Sequence, residues 1–212
     1  MPNYFEHFKT TAYTLANNNV SLDKVTNIMR TFSFDSSFKD NASVFYEYDI
    51  LDGETPEIVS DKMYGSPDFH WIILNYNQIL HPQFDWVLDS TSFINFVDKK
   101  YEEYADTANN ETGLAWAQTN IKDYSIVEKK INLLTDEFTE DIIYIDSNTY
   151  ANTINSSEVY TLKDGTNFEI KQTKNTTTYY EYEESLNESK RSIKILKPEF
   201  IPSVFEEFKS II

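Results

Sequence analysis

The sequence contains no cysteine, which excludes disulfides, thiolate nucleophiles and thiolate metal sites and leaves the redox compartment unreadable. Glycine is scarce: Gly53, Gly65, Gly113 and Gly165 are the only four in 212 residues. They are too scattered to build a glycine-rich phosphate cradle. Positive charge is also thin, with 18 Lys and Arg against 35 Asp and Glu and a formal net charge of −17. That balance repels phosphate backbones and anionic lipid, so neither nucleic-acid binding nor attachment to a membrane surface is expected. No apolar run approaches the length of a transmembrane helix, so no membrane insertion is expected. The stretch Met1–Lys9 has neither the basic nor the apolar region of a secretory leader. Asn-x-Ser/Thr triplets at Asn110 and Asn175 are read as coincidence in a chain rich in these residues.

The chemistry of catalysis is equally sparse. His7, His70 and His81 lack the spacing of metal ligands. Asp49, Asp52, Glu54 and Glu57 gather near one turn, but the alternating oxygen ligands of a calcium loop are missing and Gly53 is misplaced for one. There is no nucleophile elbow. The acidic pairs Glu102/Glu103 and Glu183/Glu184, and the run Asp136-Glu137 with Glu140-Asp141, read as solvated faces. No catalytic residue, metal ligand or cofactor site is expected, and the chain is not read as an enzyme.

What is abundant is aromatic surface: 15 Tyr and 15 Phe beside 3 Trp make up 16% of the chain. Tyrosine combines apolar area with a hydrogen-bonding tip, which suits either a partner interface or a core with its hydroxyls at the rim. The most structured stretch is Tyr46–Asn77. Tyr46, Tyr48 and Ile50 mark a strand within Ser43–Ile50. Thr55-Pro56 and Ser66-Pro67 each pair a capping hydroxyl with a proline at the first helical position, where no N–H is needed. Gly65 stands where a left-handed residue ends the first helix, after Tyr64. Trp71 and Leu74 occupy buried positions of the second. Tyr64, Phe69, Trp71 and Tyr76 fit either a ligand groove or packing, and Trp71 fits the core better.

Elsewhere the spacing of Leu22, Val25, Ile28, Met29 and Phe32 predicts a helix after a short extended run ending near Leu15. His81–Trp86 reads as a connector. A helix over 90–104 follows, with Phe93, Phe96, Val97 and Tyr101 as its apolar face and Ser92 as its cap, and Thr107–Thr112 reads as a loop. From Leu114 to Tyr180 the texture is β, with a hairpin turn at Lys163-Asp164-Gly165-Thr166 and a polar turn over Asn175–Thr178. Tyr180–Ser189 fits a short helix. Ser192–Leu196 reads as a strand. Ile201, Val204, Phe205, Phe208 and Ile211 then form the apolar stripe of an amphipathic helix entered through Pro198 or Pro202.

These residues carry a likeness. The run Tyr46–Asn77 resembles a LysM-type βααβ module. Val25–Arg30, Tyr46–Ile50 with Pro56-Glu57, Met63–Pro67 with Trp71–Leu74, Phe84–Trp86 and Ile193–Phe200 together resemble the baseplate wedge protein of T-even-type contractile-tailed bacteriophages, with Glu111–Glu183 matching only loosely. The resemblance implies a virion protein of the tail baseplate, made in the host cytoplasm. It would link neighbouring wedges into a closed ring around the hub, in several copies, through contacts with other wedge proteins.

The second strand of the module has no good candidate directly after its second helix, because Leu80–Trp86 is broken by proline. Ile193–Leu196, carrying Ile193 and Ile195, is therefore expected to pair with Tyr46–Ile50. The fold expected is α+β: an N-terminal arm (1–43), a LysM-like module (44–77 with 190–197), an insertion (78–189, with a helix over 90–104 and a β-rich lobe over 114–180) and a C-terminal helix (198–212). Core or interface positions of the module are Tyr46, Tyr48, Pro56, Tyr64, Gly65, Pro67, Trp71, Leu74, Trp86, Ile193 and Ile195. The arm and the helix bearing Ile201, Val204, Phe205 and Phe208 are the expected partner contacts. Two other functions are compatible with parts of the pattern: a LysM-like module recognising peptidoglycan, and a carboxylate-dependent wall hydrolase.

Overall fold

The computed structural model describes residues 8–13, 23–27, 34 and 41–211. Among them are eight α-helices and eight strands, an α+β architecture. The chain divides into two compact units, Met1–Ser90 with Asn187–Ile212, and Thr91–Leu186.

The first unit is built on strand β3 (Phe45–Asp49), which pairs antiparallel with β8 (Ser192–Leu196). Tyr46 lies opposite Ile195 and Tyr48 opposite Ile193, the strand pairing expected from the sequence. Helix α1 (Pro56–Tyr64) starts where expected: the Thr55 hydroxyl accepts from the Ile58 N–H at 3.4 Å, and Pro56 takes the first position. It ends at Gly65, whose φ of 71° is left-handed. Ser66 then caps a 3-10 turn, Pro67–Phe69, that leads into α2 (His70–Tyr76).

Helix α2 is buried on two sides. Its Trp71, Ile72 and Tyr76 join Val44, Leu196, Val204 and Phe208 in one core, which also takes in Phe8 and Phe34. Its Ile73 joins Ile50, Val59, Trp86, Val87, Ile193 and Ile195 in a second. Trp86 and Val87 follow a single helical turn, α3 (Pro82–Asp85), within the expected connector.

Two expectations near the N-terminus and the connector are corrected. Asp23–Thr26 is a strand, β2, paired antiparallel with β1 (Thr10–Tyr13), with Val25 opposite Thr11. Val25 and Thr26 are β-branched, and a cross-strand partner outweighs helical spacing that rested on a few positions. The rest of that stretch, Leu22, Ile28, Met29 and Phe32, lies outside the described residues, as does Leu15. Ser92 is no cap, because α4 (Ser90–Tyr101) already includes it. The helix start is held by Asp52, whose carboxylate accepts from the Ser90 N–H at 2.9 Å and from its hydroxyl at 3.1 Å.

The second unit holds most of α4, then α5 (Gly113–Thr119), a four-stranded sheet and most of α7 (Tyr179–Glu188). The expected β texture thus opens with a helix, capped by the Thr112 hydroxyl accepting from the Ala115 N–H at 3.1 Å. The sheet order is β5-β4-β7-β6, all antiparallel: β4 (Ile121–Asn132), β5 (Phe138–Ile145), β6 (Ser156–Thr161) and β7 (Asn167–Thr178). The Asp164-Gly165 turn joins β6 to β7 as expected, with Gly165 at φ 85°. Asn175–Thr178 is not a turn. It continues β7, where three threonines suit an extended chain and Asn175 pairs with Ser125. A short helix, α6 (Ser147–Asn152), interrupts the lobe because Asp146 caps the N–H groups of Asn148 and Thr149. The last helix of the chain, α8 (Ile201–Ile211), follows a 3-10 turn opened by Pro198.

Candidate assembly surfaces

The turn from β3 into α1 is organised by one carboxylate. Glu54 accepts from the Tyr48 hydroxyl at 2.6 Å, the Leu51 N–H at 2.9 Å and the Lys62 ammonium at 3.1 Å. Lys62 also donates to the Tyr48 oxygen at 2.9 Å, and the Trp86 indole N–H donates to the Glu54 carbonyl at 2.7 Å. Burial opposes the Glu54 charge, but the donors outweigh it and hold its carboxyl below the ordinary value. The acids near this turn therefore act as structural ties: Asp52 on α4, and Glu54 on β3 and α1.

Two asparagines close the unit by imitating a backbone. The Asn77 carboxamide donates to the Lys194 carbonyl at 2.7 Å and accepts from the Lys194 N–H at 2.8 Å, while also donating to Ile73 at 2.9 Å. It thereby occupies part of the β8 edge that β3 leaves open. Asn187, buried, accepts from the Leu88 N–H at 2.8 Å and donates to the Leu88 carbonyl at 3.1 Å. Sequence reasoning found neither residue. Nothing local marks an asparagine whose partner is 117 or 99 residues away.

The structure brings most of the expected module residues together. Pro56, Trp71, Trp86, Ile193 and Ile195 are buried, and Tyr48, Tyr64 and Leu74 pack against the second core. Tyr46 is half-exposed on β3, with the Lys197 ammonium 5.4 Å from its ring centre. Gly65 and Pro67 do backbone work at the helix junction. The stripe on α8 is already occupied. Val204 and Phe208 are buried, the Phe208 ring lies 4.7 Å from that of Trp71, and Phe205 meets Phe69 and Trp71 at 6.0 Å. Ile201 and Phe205 are partly buried. An open groove of about 350 Å³ runs past Asn77, Gln78, Asp85, Lys190 and Ser192, and no aromatic among the described residues lines it.

Among the described residues, most of the exposed large hydrophobics belong to the second unit. Trp116 clusters with Tyr101 and Tyr104, its ring centre 5.6 and 5.0 Å from theirs, which are 6.2 Å apart, and with Tyr179 at 5.0 Å. Beneath it Glu183 is buried, against the expectation of a solvated face, and accepts from Lys100 and from the Tyr101 hydroxyl at 2.8 Å each. Burial and that carboxylate push the Tyr101 phenol well above its ordinary value. Glu102, Glu103 and Glu184 are exposed as expected. Gly113 lets α5 touch α4, since a Cβ there would lie 2.0 Å from the Asp98 carbonyl oxygen. In the sheet, β5 is exposed at every position except Ile145, and β6 is exposed throughout. Phe138, Ile142, Ile143, Tyr144, Val159 and Tyr160 are among the residues that leave apolar surface open.

A tied base and a sheet whose edge strands β5 and β6 are exposed on both faces leave contact surface open rather than form a catalytic cleft. Residues 3–211 match the family described as base plate wedge protein 53, and the chain belongs to that family. It is accordingly a structural protein of the phage tail baseplate, located in the virion tail and assembling with other baseplate proteins. No curated protein matches it. No helix among the described residues is long and apolar enough to cross a membrane, and they contain no group of acids and histidines placed to hold a metal.

Proposed function

We propose that the protein joins adjacent baseplate wedges into a closed ring around the hub, in several copies per ring, by protein–protein contact alone. The observation that carries this reading is the family match across residues 3–211. The aromatic stack and open sheet of Thr91–Leu186 support it, because assembly needs large contact areas on rigid supports. The first unit acts as a LysM-like base reused for packing: β3, α1, α2 and β8 form the βααβ set, and 78–189 is an insertion in it. The N-terminal arm and α8 are further contact segments. On α8 a contact would use Ile201, Phe205 and the outward acids, since Val204 and Phe208 are buried within the base. Synthesis in the host cytoplasm fits a chain that docks onto wedges before the ring closes.

The test is to disable the gene and examine tail intermediates by sedimentation and electron microscopy. Single wedges should accumulate and be rescued by added protein; complete rings formed without it would overturn the reading. Carbohydrate recognition would require aromatic faces in an open groove, whereas Trp71 and Tyr76 are buried. Titration with chitin oligomers should therefore leave tryptophan emission unchanged.

A further inference from the structure

Among the described residues, strand β5 lies at the edge of its sheet, with a neighbour on one side only. The direction of its free hydrogen-bonding groups follows from the register. Asn132 donates to the Glu137 carbonyl at 2.8 Å, and Ile131 lies opposite Phe138. Antiparallel ladders alternate bonded and non-bonded pairs. Thr139, Asp141, Ile143 and Ile145 therefore bond towards β4, while Phe138, Glu140, Ile142 and Tyr144 present N–H and C=O groups outward. The side chains are open as well: Phe138 is 56% exposed, Ile142 55%, Ile143 47% and Tyr144 70%. Because side chains alternate along a strand, Ile142 and Tyr144 lie on one face and Ile143 on the other. A partner covering one face would leave the other wet. A strand laid alongside would contact both rows.

Edges of this kind are normally blunted by proline, a bulge, shortness or a cover. Strand β5 has eight residues, no proline, and an unbroken register with β4. Its one guard is charge. Asp136, Glu137, Glu140 and Asp141 precede Ile142–Ile145, and the segment Asp136–Ile145 contains no Lys or Arg. Antiparallel pairing with a second copy centred on Asp141 would set the two Asp141 side chains directly opposite each other, and centring on Ile142 would leave them on the diagonal, still within cross-strand reach, which is destabilising. The chain's net charge of −17 adds to that repulsion.

We propose that β5 is a docking strand. It takes up an extended segment of another baseplate protein as a fifth strand, with Lys or Arg on that segment opposite Glu140 and Asp141 and apolar side chains opposite Ile142–Ile145. Backbone bonds supply the affinity, and the basic-then-apolar order supplies the choice of partner. This rests on the assembly reading, and the experiment separates the two.

The full-length protein and purified baseplates that contain it are compared by amide hydrogen exchange. Exchange over 138–144 should slow by about tenfold or more in the baseplate, carried by alternate amides that include Ile142. Equal exchange free and assembled overturns the docking strand while leaving the assembly role standing. Failure to enter baseplates at all overturns both. Slowing that appears in the free protein as its concentration rises means that copies pair with each other, which also overturns it. Ile142→Pro removes one outward N–H and no bond to β4, a position where an edge tolerates proline. It should keep the circular-dichroism spectrum and lose incorporation. Should that variant misfold, Glu140→Lys with Asp141→Lys keeps the strand and reverses its charge. It should incorporate several-fold less well at low salt; unchanged incorporation overturns the basic partner.

Discussion

Asn77 and Asn187 show how single side chains can close a fold that the backbone leaves open. Each carboxamide meets both the donor and the acceptor of one residue, as a neighbouring strand would. Asn187→Ala removes two bonds at a buried position and should cost about 2–3 kcal/mol, because the Leu88 groups are left without partners. Asn77→Ala, at a wetter position, should cost about 1–2 kcal/mol; denaturant melts of both variants check the order. Glu54 carries a pH dependence. Its folded pKa lies below the unfolded value, so its contribution is full above about pH 4.5 and is lost as pH falls through the folded pKa. Glu54→Gln should flatten the acid limb of the melting temperature against pH, and an unchanged limb would remove the carboxylate from the account. Gly113→Ala should destabilise the second unit by about 1–3 kcal/mol or more, since α5 must move away from the Asp98 carbonyl. None of these roles is marked in the neighbouring sequence, unlike the Thr55 and Gly65 caps, whose partners lie within one helical turn.

Among the elements, those whose cause is local were readable. α1, β8, α8 and the Asp164-Gly165 hairpin follow from caps, alternation, a 3.6-residue stripe and a turn dipeptide. The misread elements were decided at a distance. β2 exists because β1 pairs with it, the start of α4 is held by Asp52 rather than by the expected Ser92 cap, and β7 runs through Thr178 because β4 lies beside it. The stripe on α8 was legible, but not what covers it. Phe208→Ala should cost about 3–5 kcal/mol in a chemical melt, for it empties the site against Trp71. Glu206→Ala, on the exposed side, should cost little. Equal effects would mean that the helix does not rest on this core.

At the scale of the whole molecule, the base is discontinuous in sequence yet closed at its seam, where Leu88 meets Asn187. Replacing residues 91–186 with a short Gly/Ser linker should therefore leave a base that unfolds cooperatively and keeps Trp71 and Trp86 buried, as followed by calorimetry and fluorescence. A non-cooperative melt would mean that the base depends on the inserted unit.

The sequence by itself determined the α+β class, the capped helices and the likeness to a baseplate wedge family, because those signals sit in contiguous residues. It also determined the pairing of Tyr46–Ile50 with Ile193–Leu196, by leaving the module's second strand no nearer candidate. Only the tertiary structure decided that the apolar stripe of α8 covers Trp71 and that Glu183 is buried beneath an aromatic stack. It alone decided that β5 keeps an edge open among the described residues. Whether an apolar row is core or surface depends on what folds over it, and the covering residues stand far along the chain.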